Sequence, residues 1–231
     1  MSSDKYTFDN FVDGRSTRFA VAACREITKS PCNLNPIWVY GPTGCGKTHL
    51  LRAVCHGIQS DERYKAIYLS CDDVERAMIE SLKVESPLWK DILECDALIV
   101  DDIDCLSGKP MTQIEFFKLI LKKCAKDQRV LISSVYPPKH FLDLTNNIKS
   151  NIEMALFADM GFPDFQQRVG FVEQYAADNG IDLSEETVNY IADSAFLMSK
   201  IKGQLNKLHF WAAEHGNRLN SECVKSILKR F

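Results

Sequence analysis

Apolar residues along this chain fall into two rhythms. Short bursts at Ile37–Tyr40, Ala66–Ser70, Ala97–Asp101, Val130–Ser134 and Met154–Asp159 are apolar at nearly every position. A strand covered on both faces reads this way, so the bursts predict a parallel sheet. Between them lie segments with helical spacing. One carries Ile114, Phe117, Leu121 and Cys124, a stripe that predicts a face packed on a core. Alternation of the two periods is the pattern of an α/β fold with helices against the sheet.

After Pro163 the strand rhythm stops. Helices are predicted over Asp164–Asp178, Ser184–Met198 and Ser199–His215, with a short terminal one near Glu222–Lys229. Gly180 closes the first, and Ser184 followed by Glu185 and Glu186 opens the second as a cap with first-turn acids. Ile201, Leu205, Leu208 and Ala212 form an apolar stripe on the third. The expected organisation is an α/β core with a five-stranded parallel sheet over residues 1–162, then a small all-α lid over 163–231. The chain shows no repeats.

Composition narrows the class. A length of 231 residues suits one core domain with a small appendage. The net charge of −3 argues against a strongly basic nucleic-acid binder, although a local basic face needs only clustered lysines. No apolar run approaches the roughly 20 residues that span a bilayer, and Met1–Lys5 lacks the apolar stretch of a signal peptide. A soluble, cytoplasmic protein is expected. The nine cysteines are odd in number, form no C-x-x-C pair, and include Cys24, Cys55, Cys95 and Cys124 in apolar runs. They read as reduced and mostly buried, with no zinc-ligand spacing.

The chemistry is concentrated at Gly41-Pro42-Thr43-Gly44-Cys45-Gly46-Lys47-Thr48, a complete G-x-x-x-x-G-K-[ST] motif after a predicted strand and before a predicted helix. Its glycines let backbone N–H groups curl around phosphates, and the helix N-terminus favours the anion. Lys47 is placed on the β/γ-phosphates, Thr48 on magnesium, and His49 at the edge of the nucleotide site. As metal ligands, His49 and His56 are outweighed by packing roles, and Cys45 by a bland small-residue role over an oxidisable one. Ala97–Val100 then delivers Asp101 and Asp102 to a strand end, where ligands bind in such sheets. Asp101 is the expected magnesium partner, and Asp102 the candidate to polarise the attacking water.

Lys5–Val12, Asn35-Pro36, Gly46–Leu51, Asp101-Asp102-Ile103, Gly108-Lys109, Thr112-Gln113 with Glu115–Phe117, and Pro137-Pro138-Lys139 together resemble the AAA+ domain of the bacterial replication initiator DnaA. The resemblance covers nearly the whole chain. It implies a P-loop AAA+ core with a helical lid, ATP/ADP and Mg2+ as cofactors, and Phe8 and Val12 bordering the adenine pocket. In length it is similar to Hda-type regulators, DnaA relatives without the helix-turn-helix domain, so sequence-specific duplex DNA binding is not expected. Residues 1–7 contain nothing like a clamp-binding peptide.

Three positions depart from the family pattern. The arginine finger falls within Asn147–Asn151, where Asn151 takes its place and Lys149 is a poor substitute for a planar guanidinium. Val135 stands where initiators carry an acid, leaving Ser133 or Ser134 to contact phosphate or water. Ser199 occupies the lid's nucleotide-sensing position, with Lys200 or Lys202 within one turn. Asp72–Glu94 replaces the helices that touch single-stranded DNA in the family, where Lys109 is kept and Met111 is not basic; a solvated insertion with Trp89 packed on the core is the competing reading. Lys200, Lys207, Lys225 and Lys229 form a basic lid face or a merely solvated one. The expected function is an ATP-binding regulator or accessory factor of replication initiation, acting on the initiator DnaA or on copies of itself. Hydrolysis should be slow, far below about 10 per second. The alternatives are a nucleotide-dependent scaffold outside replication and a helicase- or transposase-loader ATPase.

Overall fold

The structure is a computed structural model, and it describes residues 6–29, 34–82, 86–140, 152–215, 218–219 and 221–229. By contact the chain divides into two compact units. The first comprises Met1–Phe11, Arg18–Pro42 and Lys47–Met160, and the second Val12–Thr17, Thr43–Gly46 and Gly161–Phe231.

The first unit is an α/β layer structure. Its elements are α1 (Arg18–Ile27), β1 (Ile37–Tyr40), α2 (Lys47–Gln59), β2 (Ala66–Ser70), α3 (Cys71–Ser81), α4 (Pro87–Glu94), β3 (Ala97–Asp101), α5 (Pro110–Cys124), β4 (Arg129–Ser134) and β5 (Leu156–Asp159). A 3-10 turn at Ile103–Leu106 follows β3. All pairings in the five-stranded sheet are parallel, in the order β2-β3-β4-β1-β5. Burial follows this order. Every residue of β3 and β4 is buried, whereas β2 and β5 at the edges are mostly half-exposed. The register sets Tyr40 beside Ser134 and Ser70 beside Asp101, so the chemistry-bearing strand ends lie in one row.

Trp38, Phe116 and Phe117 are fully buried in the core of this unit, with the Trp38 and Phe117 rings stacked at 5.9 Å. Truncating one of these rings to alanine costs roughly 3–5 kcal/mol. The expected stripe on α5 is rotated. Phe117 lies in the core, but Ile114, Leu121 and Cys124 are only half-buried, and Gln113, Phe116, Ile120 and Lys123 complete the hidden face. Two polar residues disguised that face. Gln113 Nε2 donates to the Leu106 carbonyl at 2.7 Å while its buried Oε1 has no hydrogen-bond partner among the described residues, and Lys123 donates to the Cys95 carbonyl at 2.9 Å, so each polar end is anchored where apolar residues were expected.

The second unit is mostly helical: α6 (Phe165–Asp178), α7 (Glu185–Asp193), α8 (Met198–His215) and α9 (Ser221–Lys229). The predicted stripe Ile201, Leu205, Leu208 and Ala212 is buried, packed with Val172, Ile191 and Val224. Asp164 and Gln167 form a capping box on α6. Gln167 also donates to Thr17 Oγ1 at 3.1 Å and accepts from Ser16 Oγ at 2.9 Å, tying residues 12–17 to the helix. The helix expected over 184–198 stops at Asp193, because the Ser194 hydroxyl turns back to the Ile191 carbonyl at 2.6 Å. A two-residue parallel ladder, β6 (Asp182–Leu183) with β7 (Arg218–Leu219), interrupts the all-helical expectation. It is too short to leave a period in the sequence.

Candidate nucleotide-binding site

Gly41 follows β1 in a close backbone approach: a Cβ there would stand 2.1 Å from the Met160 carbonyl oxygen, so no side chain fits. Gly44 has φ +81, a left-handed value that a side chain opposes, and its Cβ would meet Ser199 Oγ at 2.9 Å. At the start of α2, Lys47 is buried, and its Nζ donates to the carbonyls of Gly41 at 2.7 Å and Pro42 at 3.3 Å. Thr48 is exposed on the first turn.

Asp101 ends β3 with both carboxylate oxygens engaged. Ser133 Oγ donates to one and Tyr68 OH to the other, the latter at 2.6 Å. The Arg52 guanidinium lies 4.5 Å from the Tyr68 ring centre. Each oxygen keeps a second lone pair. Asp102 follows in left-handed backbone, φ 54 and ψ 58, with its N–H donated to Ser133 Oγ at 3.0 Å. Burial raises the Asp102 pKa above the ordinary carboxylate value and the Asp101 charge adds to this, while Lys47 pulls it down. Lys47, Asp101 and Asp102 are thus brought within electrostatic reach of one another.

A glycine cradle, a helix N-terminus, a buried lysine, and a hydroxyl with a carboxylate for a hard cation fit a magnesium–nucleoside triphosphate. The model of the bacterial DnaA ATPase domain matches residues 2–159. The chain belongs to that family. Chromosomal replication initiator protein DnaA of Caldanaerobacter subterraneus subsp. tengcongensis is 31% identical over 230 residues, covering 97% of this chain and 52% of the relative. The chain therefore spans about half the length of that curated relative. Domain III of DnaA from Thermotoga maritima superposes with a TM-score of 0.88 at 26% identity, covering 99% of this chain and 97% of that one. A replication initiator DnaA bound to AMPPCP and single-stranded DNA superposes with a TM-score of 0.79 at 28% identity, covering 92% of this chain and 66% of that one.

In this DnaA-family AAA+ domain most of the remaining predicted residues are engaged in contacts within their own unit. His49 Nε2 donates to the Thr7 carbonyl at 3.0 Å, and Asn10 Oδ1 lies 2.9 Å away, so the ring anchors the N-terminal segment to α2. Phe8 lies under the Arg25 guanidinium at 4.7 Å, between α1 and α2. Val12 packs toward α6, its Cγ1 3.2 Å from a Cβ built at Gly170. The Ser134 hydroxyl is buried, donating to the Tyr136 carbonyl at 2.5 Å and accepting from the Trp38 indole at 2.7 Å. Ser133 is the serine on the aspartates. Lys200 is exposed, and Ser199 is the side chain beside Gly44. Asn147, Lys149 and Asn151 lie outside the described residues.

Sequence reasoning missed Tyr68, Arg52 and Asp104. Asp104 accepts from the Val135 N–H at 2.6 Å and so fixes the loop after β4. The one available signal was Arg52, a turn after Thr48 on the same helix face. Tyr68 could be found only by knowing that β2 neighbours β3. Among the described residues, no helix is long and apolar enough to cross a membrane.

Proposed function

We propose that this chain is an ATP- and magnesium-binding AAA+ module that regulates replication initiation through contacts with the initiator DnaA or with copies of itself. The convergence of Lys47, Asp101 and Asp102 beside the glycine loop carries the nucleotide reading. ATP supplies the phosphoanhydride bond when bound. With magnesium–ATP bound, Lys47 and the loop N–H groups would neutralise phosphate charge, Thr48 and Asp101 would hold the cation, and Asp102 would polarise the attacking water. Ser133 positions both aspartates from a single hydroxyl.

The regulatory reading is supported by the arginine distribution. The sequence has no arginine between Arg129 and Arg168, a span that contains the finger position. AAA+ neighbours meet head to tail, one giving the finger and the next the nucleotide, so the contact propagates unless one face is deficient. This chain has the residues of the nucleotide face and lacks an arginine for the other, so it accepts a finger from a full-length initiator and ends the assembly there. Single-stranded DNA, held by the AMPPCP-bound relative, is the weaker reading here, because Lys109 is tied to Glu75 at 2.6 Å.

Paired ATPase assays test the proposal. An initiator whose own phosphate-loop lysine is mutated should raise hydrolysis at this protein's site. This protein carrying Lys47→Ala should leave hydrolysis by wild-type initiator unchanged. Strong stimulation in the second assay would overturn the end-cap reading, and no stimulation in the first would remove the initiator as partner.

A further inference from the structure

Outside the nucleotide site, the first unit holds a cluster of thiols and carboxylates. Cys71 opens α3, and Asp72 and Glu75 follow on its first turns. Cys105 lies in the 3-10 turn after β3. One ligand atom from each of Asp72, Glu75 and Cys105 lies within 4.8 Å of the other two. Behind them lies the thiol of Cys71, 2% exposed, which neighbours Cys105 from inside and is not one of the three mutually close ligands. Lys109 Nζ holds the outer side of the cluster, 2.6 Å from Glu75 Oε2.

We propose that Cys105, Asp72 and Glu75 form a three-residue site for a thiophilic divalent cation, of which zinc is the prototype, with the fourth position left to water. The donor set decides the class. Magnesium and calcium take oxygen ligands throughout, whereas a sulfur with two carboxylate oxygens and a water suits the borderline-soft zinc ion in its usual four-coordination. The electrostatics agree with the geometry. The carboxylates of Asp72 and Glu75 gather negative charge beside the Cys105 sulfur, which a divalent cation neutralises. Asp72 is exposed, and Glu75 and Cys105 are half-buried, which leaves an entry path. On binding, the Cys105 thiol releases its proton to solvent as the sulfur–metal bond forms, and the Lys109 ammonium gives up Glu75. The metal would then join the start of α3 to the turn that immediately follows Asp101 and Asp102. The sequence hides the site because its ligands come from two elements, at 72 and 75 and at 105, in no recognised zinc spacing.

The test is titration of the full chain with zinc chloride by calorimetry, in excess magnesium chloride and without nucleotide. One zinc per chain is expected, with affinity rising with pH because a thiol proton is released. Cys105→Ser and Asp72→Asn should each weaken binding by more than the about tenfold that an outer partner is worth. Asp72 is exposed, so its variant keeps the fold. Lys109→Ala should tighten binding several-fold by removing the competing ammonium, and Cys124→Ser should change nothing. Cobalt should show a thiolate charge-transfer band that disappears in Cys105→Ser. Wild-type affinity in both Cys105→Ser and Asp72→Asn, or weaker binding in Lys109→Ala, would overturn the proposal.

Discussion

Asp102 concentrates the conflict between stability and chemistry at a single position. Its left-handed backbone suits asparagine better than most residues, and its carboxylate is costly to ionise where it stands. A pKa raised by folding means that the ionised side chain disfavours the folded state above that pKa. The penalty fades as pH falls through that raised value and is gone below the ordinary carboxylate range. Asp102→Asn should therefore keep or raise the thermal midpoint at neutral pH, with the gain disappearing on acidification. The same variant should lose hydrolysis by at least about a hundredfold, the contribution of a positioned base. Scanning calorimetry beside a steady-state ATPase assay separates the two effects; a lower midpoint together with intact hydrolysis would contradict both. The neighbouring Ser133 shows where residue-level reading ends. Two adjacent serines are equivalent on paper, and only the alternation of β4 sends one hydroxyl to Asp101 and the other to Trp38.

At the scale of elements, α3 is held by a reciprocal cap. Ser70 accepts from the Asp73 N–H at 3.2 Å, while Asp73 accepts from the Ser70 N–H at 3.3 Å. Ser70→Ala should cost about 1 kcal/mol, or about 2–4 °C in thermal midpoint for a chain of this size. The Ser70 hydroxyl, more than any other group, holds the Asp73 carboxyl below its usual range. The cap's contribution is thus present at neutral pH and is lost as pH falls through that lowered value. A midpoint difference between wild type and Ser70→Ala that is constant from pH 7 to about 5 and shrinks only below about pH 4 checks the sign. The strands were legible because burial on both faces leaves unbroken apolar runs, and Ala97–Asp101 matches its predicted limits. The face of α5 was not, since Gln113 and Lys123 donate to carbonyls that sequence cannot place. The Tyr68–Asp101 contact and the zinc-type cluster depend on strand order and on the turn after β3, which no local pattern encodes. The phosphate loop was legible because its chemistry is local, with eight consecutive residues carrying it.

For the whole molecule, nucleotide binding should appear as added stability. A ligand that binds only the folded state contributes about 2.7 kcal/mol at a hundred times its dissociation constant. Magnesium–ATP should therefore raise the thermal midpoint of the wild type. Lys47→Ala should abolish the shift, because it removes the cation aimed at the phosphates. An equal shift in the variant would mean that nucleotide binds elsewhere. Two separate apolar cores, one around Trp38 and Phe117 and one around Ile201 and Leu205, give this measurement more than one structural origin. Trp38 offers a way to distinguish them. Its indole is 1% exposed, stacked on Phe117 and bonded to Ser134, the residue whose carbonyl receives the Gly41 N–H. Light absorbed there is re-emitted from a dry, rigid cage at short wavelength, and flooding that cage with water shifts the emission red. With Trp89 and Trp211 replaced by phenylalanine, the colour of this one fluorophore reports whether the sheet beneath the phosphate loop is intact, whatever the helical unit is doing.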